Sequence, residues 1–167
     1  YSEKIPITGN DAIGTRLRLE CPYSFHGGLM KVLETIAFSK TKCRVVLEDE
    51  SSIVLYNKDL RRYGIENGVE LSDKQLEIFM EELLPYRAKA RCMKLLQSKD
   101  YTETEMRKKL QADGYSEPVI DKAIAYLYGF RYLDDIRYVE LYYRSKCSKK
   151  SRKQIIMDLQ QKGISKD

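Results

Sequence analysis

Seven cations lie between Arg137 and Lys153 against one acid, Glu140. Six of them, Arg144, Lys146, Lys149, Lys150, Arg152 and Lys153, fall within ten residues, with Ser145, Ser148 and Ser151 spaced among them. Serine spacing of this kind marks a polar loop, so the centre of the cluster should join two helices. Guanidinium and ammonium groups at this density can neutralise phosphates or meet an acidic protein surface. A solvated loop between helices is the simpler reading of the same residues. A second basic group, Arg107, Lys108 and Lys109, stands on a stretch of helical period. It could approach a nucleic-acid groove or backbone, or form a solvated helix face.

Other chemistry finds little support. Asp134 and Asp135 are paired carboxylates, but they open a helical stretch. Aspartates there accept hydrogen bonds from free N–H groups and favour the positive end of the helix dipole. A structural role is therefore expected for them. Cys21, Cys43, Cys92 and Cys147 are scattered without a C-x-x-C pair, and His26 is the only histidine. Neither a metal site nor a disulfide framework is expected from that pattern. No Gly-rich phosphate loop, H-E-x-x-H or G-x-S-x-G occurs. No catalytic, metal or cofactor residue is nominated, and the chain is read as a binding protein, not an enzyme.

Composition fits that reading. The 167 residues are 43% hydrophobic and 33% charged, as in a soluble protein of one or two small domains. No apolar run approaches the roughly 20 residues of a membrane span. The N-terminus has no basic-then-apolar leader, so the cytoplasm is the expected compartment. The net charge of +5 divides into −3 over residues 1–85 and +8 over residues 86–167. The second half should therefore face an acidic partner.

The elements that must position these groups are legible from Ser72 onward. Ser72 with Gln75 and Thr102 with Glu105 have capping-box form. Behind Ser72, the residues Leu76, Phe79, Met80, Leu83 and Leu84 make a buried stripe, and Pro85 should break or kink the helix. A first helix follows over about Tyr86 to Ser98, with Ala88, Cys92, Leu95 and Leu96 inward. A second begins after Thr102, buries Met106 and Leu110, and stops at Gly114. Ser116 should cap a third, with Pro118 in its first turn and Val119, Ile120, Ala123, Ile124 and Leu127 as its inner face. Tyr138, Val139, Tyr142 and Tyr143 form an aromatic stripe on the helix after Asp135, and core is the expected place for it; an interface is the alternative.

The pattern repeats. A shift of 49 residues lays Met106 on Ile155, Leu110 on Leu159, Gln111 on Gln160, Gly114 on Gly163 and Ser116 on Ser165. Tandem units of this size stack as helical arrays. The second unit reaches Asp167 where its third helix should begin, so a truncated second unit is expected. Upstream, Lys31 to Phe38, Thr41 to Leu47 and Ser52 to Tyr56 read as a three-stranded meander. Asn57 should cap a short helix ending at Gly64. Residues 1–29 show little periodicity beyond a short strand at Thr15 to Cys21.

The series DYTETEMRKKLQADGYSEPVIDKAIAYL, then YLDDIRYVELYYRSK, a basic loop and QIIMDLQQKGI resembles RecX, the regulator of the bacterial recombinase RecA. The likeness runs from about Lys31 to the end and is densest over residues 90–163. It implies a mainly α fold of tandem three-helix repeats, one complete and a second incomplete, preceded by a small β-meander with a helix. In these terms residues 1–29 are an extension, native or non-family, and 30–71 the meander. Residues 72–85 are a connecting helix, 86–134 the first repeat and 135–167 the second. A monomer is expected. The resemblance further implies a protein that binds the RecA–DNA filament and suppresses its ATPase and strand exchange, and so bears on DNA repair and the SOS response. It favours the phosphate or acidic-partner reading of the basic loop. The alternative function is direct DNA binding in the manner of a helix-turn-helix. Ile136 and Leu141 depart from the family, which more often has polar residues there. A smaller departure is Arg131, where relatives often have Gly, and Gly129 is expected to supply the turn instead.

Overall fold

In the computed structural model, which describes residues 28–165, a small sheet leads into a run of helices. The strand expected at Thr15 to Cys21, and His26 with it, lies outside the described residues. β1 (Leu29–Ser39), β2 (Lys42–Leu47) and β3 (Ser52–Tyr56) form the meander, and α1 (Asn57–Tyr63) ends at Gly64 with φ 63°. The sheet has a fourth strand that the sequence did not disclose. β4 (Glu70–Ser72) pairs antiparallel with β1, giving the order β3-β2-β1-β4. Three residues are too few to show a period of two. Asn57 is the first residue of α1 and not its cap. Tyr56 holds the cap position without a side-chain bond, and Asn57 Oδ1 instead accepts from Cys43 Sγ at 3.3 Å.

From Ser72 the capping box with Gln75 starts one continuous helical rod. It comprises α2 (Asp73–Ile78), a π turn (Phe79–Leu83) and α3 (Leu84–Leu96). Pro85, expected to break or kink this helix, does not break it, but the helix is disrupted just ahead of it. The widened turn, in which Leu84 N–H bonds Phe79 O, ends just ahead of the proline. That widening accommodates a ring that would collide with the carbonyl four residues back in a regular α-helix. Leu76, Phe79, Met80 and Leu84 are buried as their spacing requires, with Leu83 at the edge.

The first unit is α3 with α4 (Glu103–Ala112) and α5 (Glu117–Gly129). The face Val119, Ile120, Ala123, Ile124 and Leu127 shares one buried cluster with Ala88, Cys92, Met106 and Leu110. Burying such aliphatic side chains is worth roughly 1.5–3 kcal/mol each relative to exposure. The same cluster continues into the sheet through Val32, Val45 and Leu55. Ser116 stands at the cap position of α5, but its side chain makes no cap bond and its Oγ is buried without a partner. Pro118 pre-sets the first turn in its place.

The second unit consists of α6 (Asp135–Lys146) and α7 (Arg152–Gln161). Ile155 and Leu159 are buried, matching Met106 and Leu110, and Gly163 repeats the positive φ of Gly114 at 85° against 87°. No residue of α6 is buried, which corrects the expectation that its aromatic stripe is core. Tyr138 and Tyr142 stack on each other at 6.2 Å, and Tyr143 is exposed. The physical reason is in the first unit, where α5 covers α3 and α4. The counterparts of α5, 49 residues on, fall beyond the described residues.

Candidate functional site

The basic loop is the tip of a helical hairpin. α6 ends at Lys146, whose carbonyl accepts the N–H groups of Lys149 and Lys150 at 2.9 Å each. Ser151 then caps α7 in a full capping box with Gln154. This third box has the same form as Ser72 with Gln75, but its serine was read as loop filler between cations. The helix termini thus fix both ends of the cluster. Arg144, Lys149, Arg152 and Lys153 are exposed and Lys146 is half-buried. Among the described residues none of these five takes part in an ion pair.

Lys150 is different. Its Nζ meets Asp158 Oδ2 at 2.5 Å, and the Tyr142 hydroxyl donates to the same oxygen at 2.8 Å. Lys150 first, then Tyr142, holds the Asp158 carboxyl below its usual range. Lys150 therefore braces α7 against the loop and is withdrawn from the set free to meet a partner. Asp158 lies outside the run of cations, so the pairing is invisible in the linear cluster.

The second basic group divides more sharply. Arg107 bonds Glu103 Oε1 and Asp121 Oδ1, both at 2.7 Å, with Glu117 at 3.7 Å. It ties α4 to α5 and is not a free cation. Lys108 and Lys109 remain exposed. The triplet thus does not act as one patch.

The junction of the two units was not anticipated. The Thr102 hydroxyl accepts from Glu105 N–H as the cap of α4 and also donates to Lys162 O at 2.6 Å, beyond α7. Lys162 Nζ returns to Glu105 Oε1 at 2.8 Å, and Asp135 Oδ1 accepts from Glu103 N–H at 3.1 Å. Asp134 caps α6 by accepting from Arg137 N–H at 2.9 Å. Both aspartates therefore serve helix N-termini, Asp135 that of the neighbouring unit. Burial, then the charges of Glu103, Asp134 and Glu105, push the Asp135 carboxyl up, while the Glu103 N–H opposes them. Arg131, ahead of this junction, itself takes the left-handed turn at φ 56°, and Gly129 does not.

Between α6 and α7 lies an open apolar groove of about 770 Å³, with Ile136, Val139, Ile156 and Leu159 in its walls. Ile136 is 77% exposed. Among the described residues no helix is long and apolar enough to cross a membrane.

A three-helix unit followed by a two-helix one, joined by their termini and carrying free cations at a hairpin tip, defines a helical-repeat protein. Residues 88–127 match the description "RecX, first three-helix domain" and residues 134–167 "RecX, second three-helix domain". Both segments thus match domains of the RecX family, 74 of the 167 residues in all. It is 27% identical over 127 residues to the regulatory protein RecX of Clostridium tetani, covering 76% of this chain and 59% of that one. The regulatory protein RecX of Clostridium acetobutylicum is 28% identical over 126 residues, covering 75% and 59%. That of Finegoldia magna is 29% identical over 140 residues, covering 81% and 68%. The chain thus spans about 59% of the length of the two clostridial relatives. A crystal structure of a regulatory protein RecX shares the fold, with a TM-score of 0.52 at 23% identity, over 83% of this chain and 70% of that one.

Proposed function

We propose that this chain regulates the RecA recombinase, binding the RecA–DNA filament and suppressing its ATPase and strand exchange. The observation that carries the reading is the hairpin tip of α6 and α7. There Arg144, Lys146, Lys149, Arg152 and Lys153 are all free of ion pairs among the described residues, inside a RecX second three-helix domain. Free cations on a tip held by a capping box offer a preorganised surface to an acidic partner. Electrostatics of this kind accelerate encounter and set orientation more than they raise final affinity. A tandem array of helical units suits a polymer, because adjacent units can touch adjacent subunits. Direct DNA binding through α4 is the weaker reading, since Arg107 is already held by three carboxylates.

The test is RecA ATPase activity on single-stranded DNA with this chain at substoichiometric ratios. Beside it runs a variant with Ala at Arg144, Lys149, Arg152 and Lys153, leaving Lys150 to hold Asp158. Inhibition by the parent that the variant loses supports a filament regulator acting through the tip. Equal inhibition by both moves the contact elsewhere. A parent with no effect on the filament sinks the reading.

A further inference from the structure

The sheet and the first helical unit leave a cleft of about 610 Å³ between them, distinct from the tip of α6 and α7. Five cations line it: Lys42 from β2, Lys58 from α1, and Arg87, Arg91 and Lys94 from α3. The three on α3 follow i, i+4, i+7 spacing, which sets them in a row about 10 Å long on one helix face. Asp113 is the acid in the wall. It takes Arg91 Nε at 2.7 Å and stands 3.7 Å from Lys42 Nζ, which also donates to its backbone carbonyl at 2.8 Å. Asp59, buried behind the cleft, takes Arg87 at 2.8 Å. Two carboxylates serve five cations, and Lys58 and Lys94, both exposed, are in no ion pair among the described residues.

The tyrosine at the end of β3 organises the excess charge. Lys42 Nζ lies 5.0 Å, the Arg87 guanidinium 5.4 Å and Lys58 Nζ 5.9 Å from the Tyr56 ring centroid. The negative face of an aromatic ring attracts cations without neutralising them. The ring therefore gathers three cations, of which Lys42 is paired with Asp113 and Arg87 with Asp59, while Lys58 keeps its charge available. Uncompensated charge in a cleft with protein walls focuses the field on whatever enters.

We propose that this cleft binds a single strand of nucleic acid through its phosphates. The unpaired Lys58 and Lys94, with the net positive charge left on the lining once Asp113 and Asp59 are counted, suit the regularly repeated charge of a backbone. An acidic peptide instead presents carboxylates on alternating, flexible stems. A duplex, whose major groove alone is about 12 Å across, would straddle the cleft and not enter it. The reading is independent of RecA.

The experiment is fluorescence anisotropy of a labelled oligothymidylate of about 15 nucleotides, a length within the range of compact single-strand sites. No RecA is present, so its failure leaves the proposed regulation standing. The parent is compared with the pair Lys58→Glu and Lys94→Glu, and with the pair Lys108→Glu and Lys109→Glu on α4, all checked for unchanged melting. Loss of two phosphate contacts should weaken binding roughly tenfold and flatten the slope of log affinity against log salt by about 1.4. The α4 pair should stay within about twofold of the parent, because each remote charge shifts only the screened long-range field. Equal weakening by both pairs would overturn the assignment. So would binding of a duplex, or of poly-glutamate in competition, as tight as that of the oligothymidylate. A parent that does not bind the oligothymidylate at low salt ends it.

Discussion

Gly163, just past α7, packs directly on Thr104 in the first turn of α4. A Cβ added at Gly163 would lie 2.1 Å from Thr104 Oγ1 and 2.3 Å from Thr104 Cβ. The approach of the two units is thus set by a missing side chain. It also explains why Gly163 carries more than the left-handed conformation that ends a helix.

Gly163→Ala should therefore cost more than backbone strain. The left-handed conformation alone costs an L residue roughly 1–2 kcal/mol. The clash with a Cβ, which no rotamer change can move, should raise the total above about 2 kcal/mol. Gly64→Ala is the control, since φ there is 63° and nothing lies within 4 Å. Urea unfolding of both variants compares them. Equal losses would mean the junction yields without cost.

Thr102 and Ser151 occupy the same place in the two units, yet Thr102 does more. Its hydroxyl caps α4 and also donates to Lys162 O, whereas Ser151 caps only α7. A lost cap costs about 1 kcal/mol, and a lost part-buried hydrogen bond about 1 kcal/mol more. Thr102→Ala should thus destabilise by about 2 kcal/mol and Ser151→Ala by about 1. Denaturant midpoints at constant slope read the difference. A larger loss at Ser151 would refute the tether.

Arg131 holds φ at 56°, where a side chain is strained. Arg131→Gly removes that strain, worth roughly 1 kcal/mol or more, and gives back part of it as unfolded-chain entropy. A net gain of about 0.5 kcal/mol should appear as a small rise in melting temperature. A fall would show that the arginine contributes contacts outweighing its backbone.

Glu105 and Asp135 should oppose each other in acid. Burial would raise the Glu105 carboxyl, but Lys162 and the Thr102 N–H prevail and hold it below its ordinary value. Its contribution is therefore full above the ordinary carboxylate range and fades as pH falls through the lowered value. Asp135 is raised, so its ionised form costs stability above that range, and the cost lifts as it protonates. Glu105→Gln should flatten the acid limb of the stability–pH curve and Asp135→Asn should steepen it. Chemical denaturation from pH 7 to pH 3 checks both. Parallel curves for the three proteins would contradict the linkage.

The local code of this chain was written plainly. Capping residues, glycine stops and helical stripes act within four or five residues, so α4, α5 and the inner face of each are legible in the sequence. So is the 49-residue repeat, because both copies obey the same local rules. The strands of the meander were equally readable, and the cations of the α6–α7 loop fell where a linear cluster placed them. What spacing could not disclose is which charges remain free. Lys150 is taken by Asp158 and Arg107 by three acids, partners brought close by helix pairing. Nor could it show that Asp135 caps a helix of the other unit or that β4 completes the sheet. Those outcomes depend on contacts between segments tens of residues apart. The sequence by itself determined the helices and the repeat they form, because local backbone preferences suffice for them. The tertiary structure alone decided which cations are spent on the fold and which are left to meet a partner, because only folding sets the distances between charges.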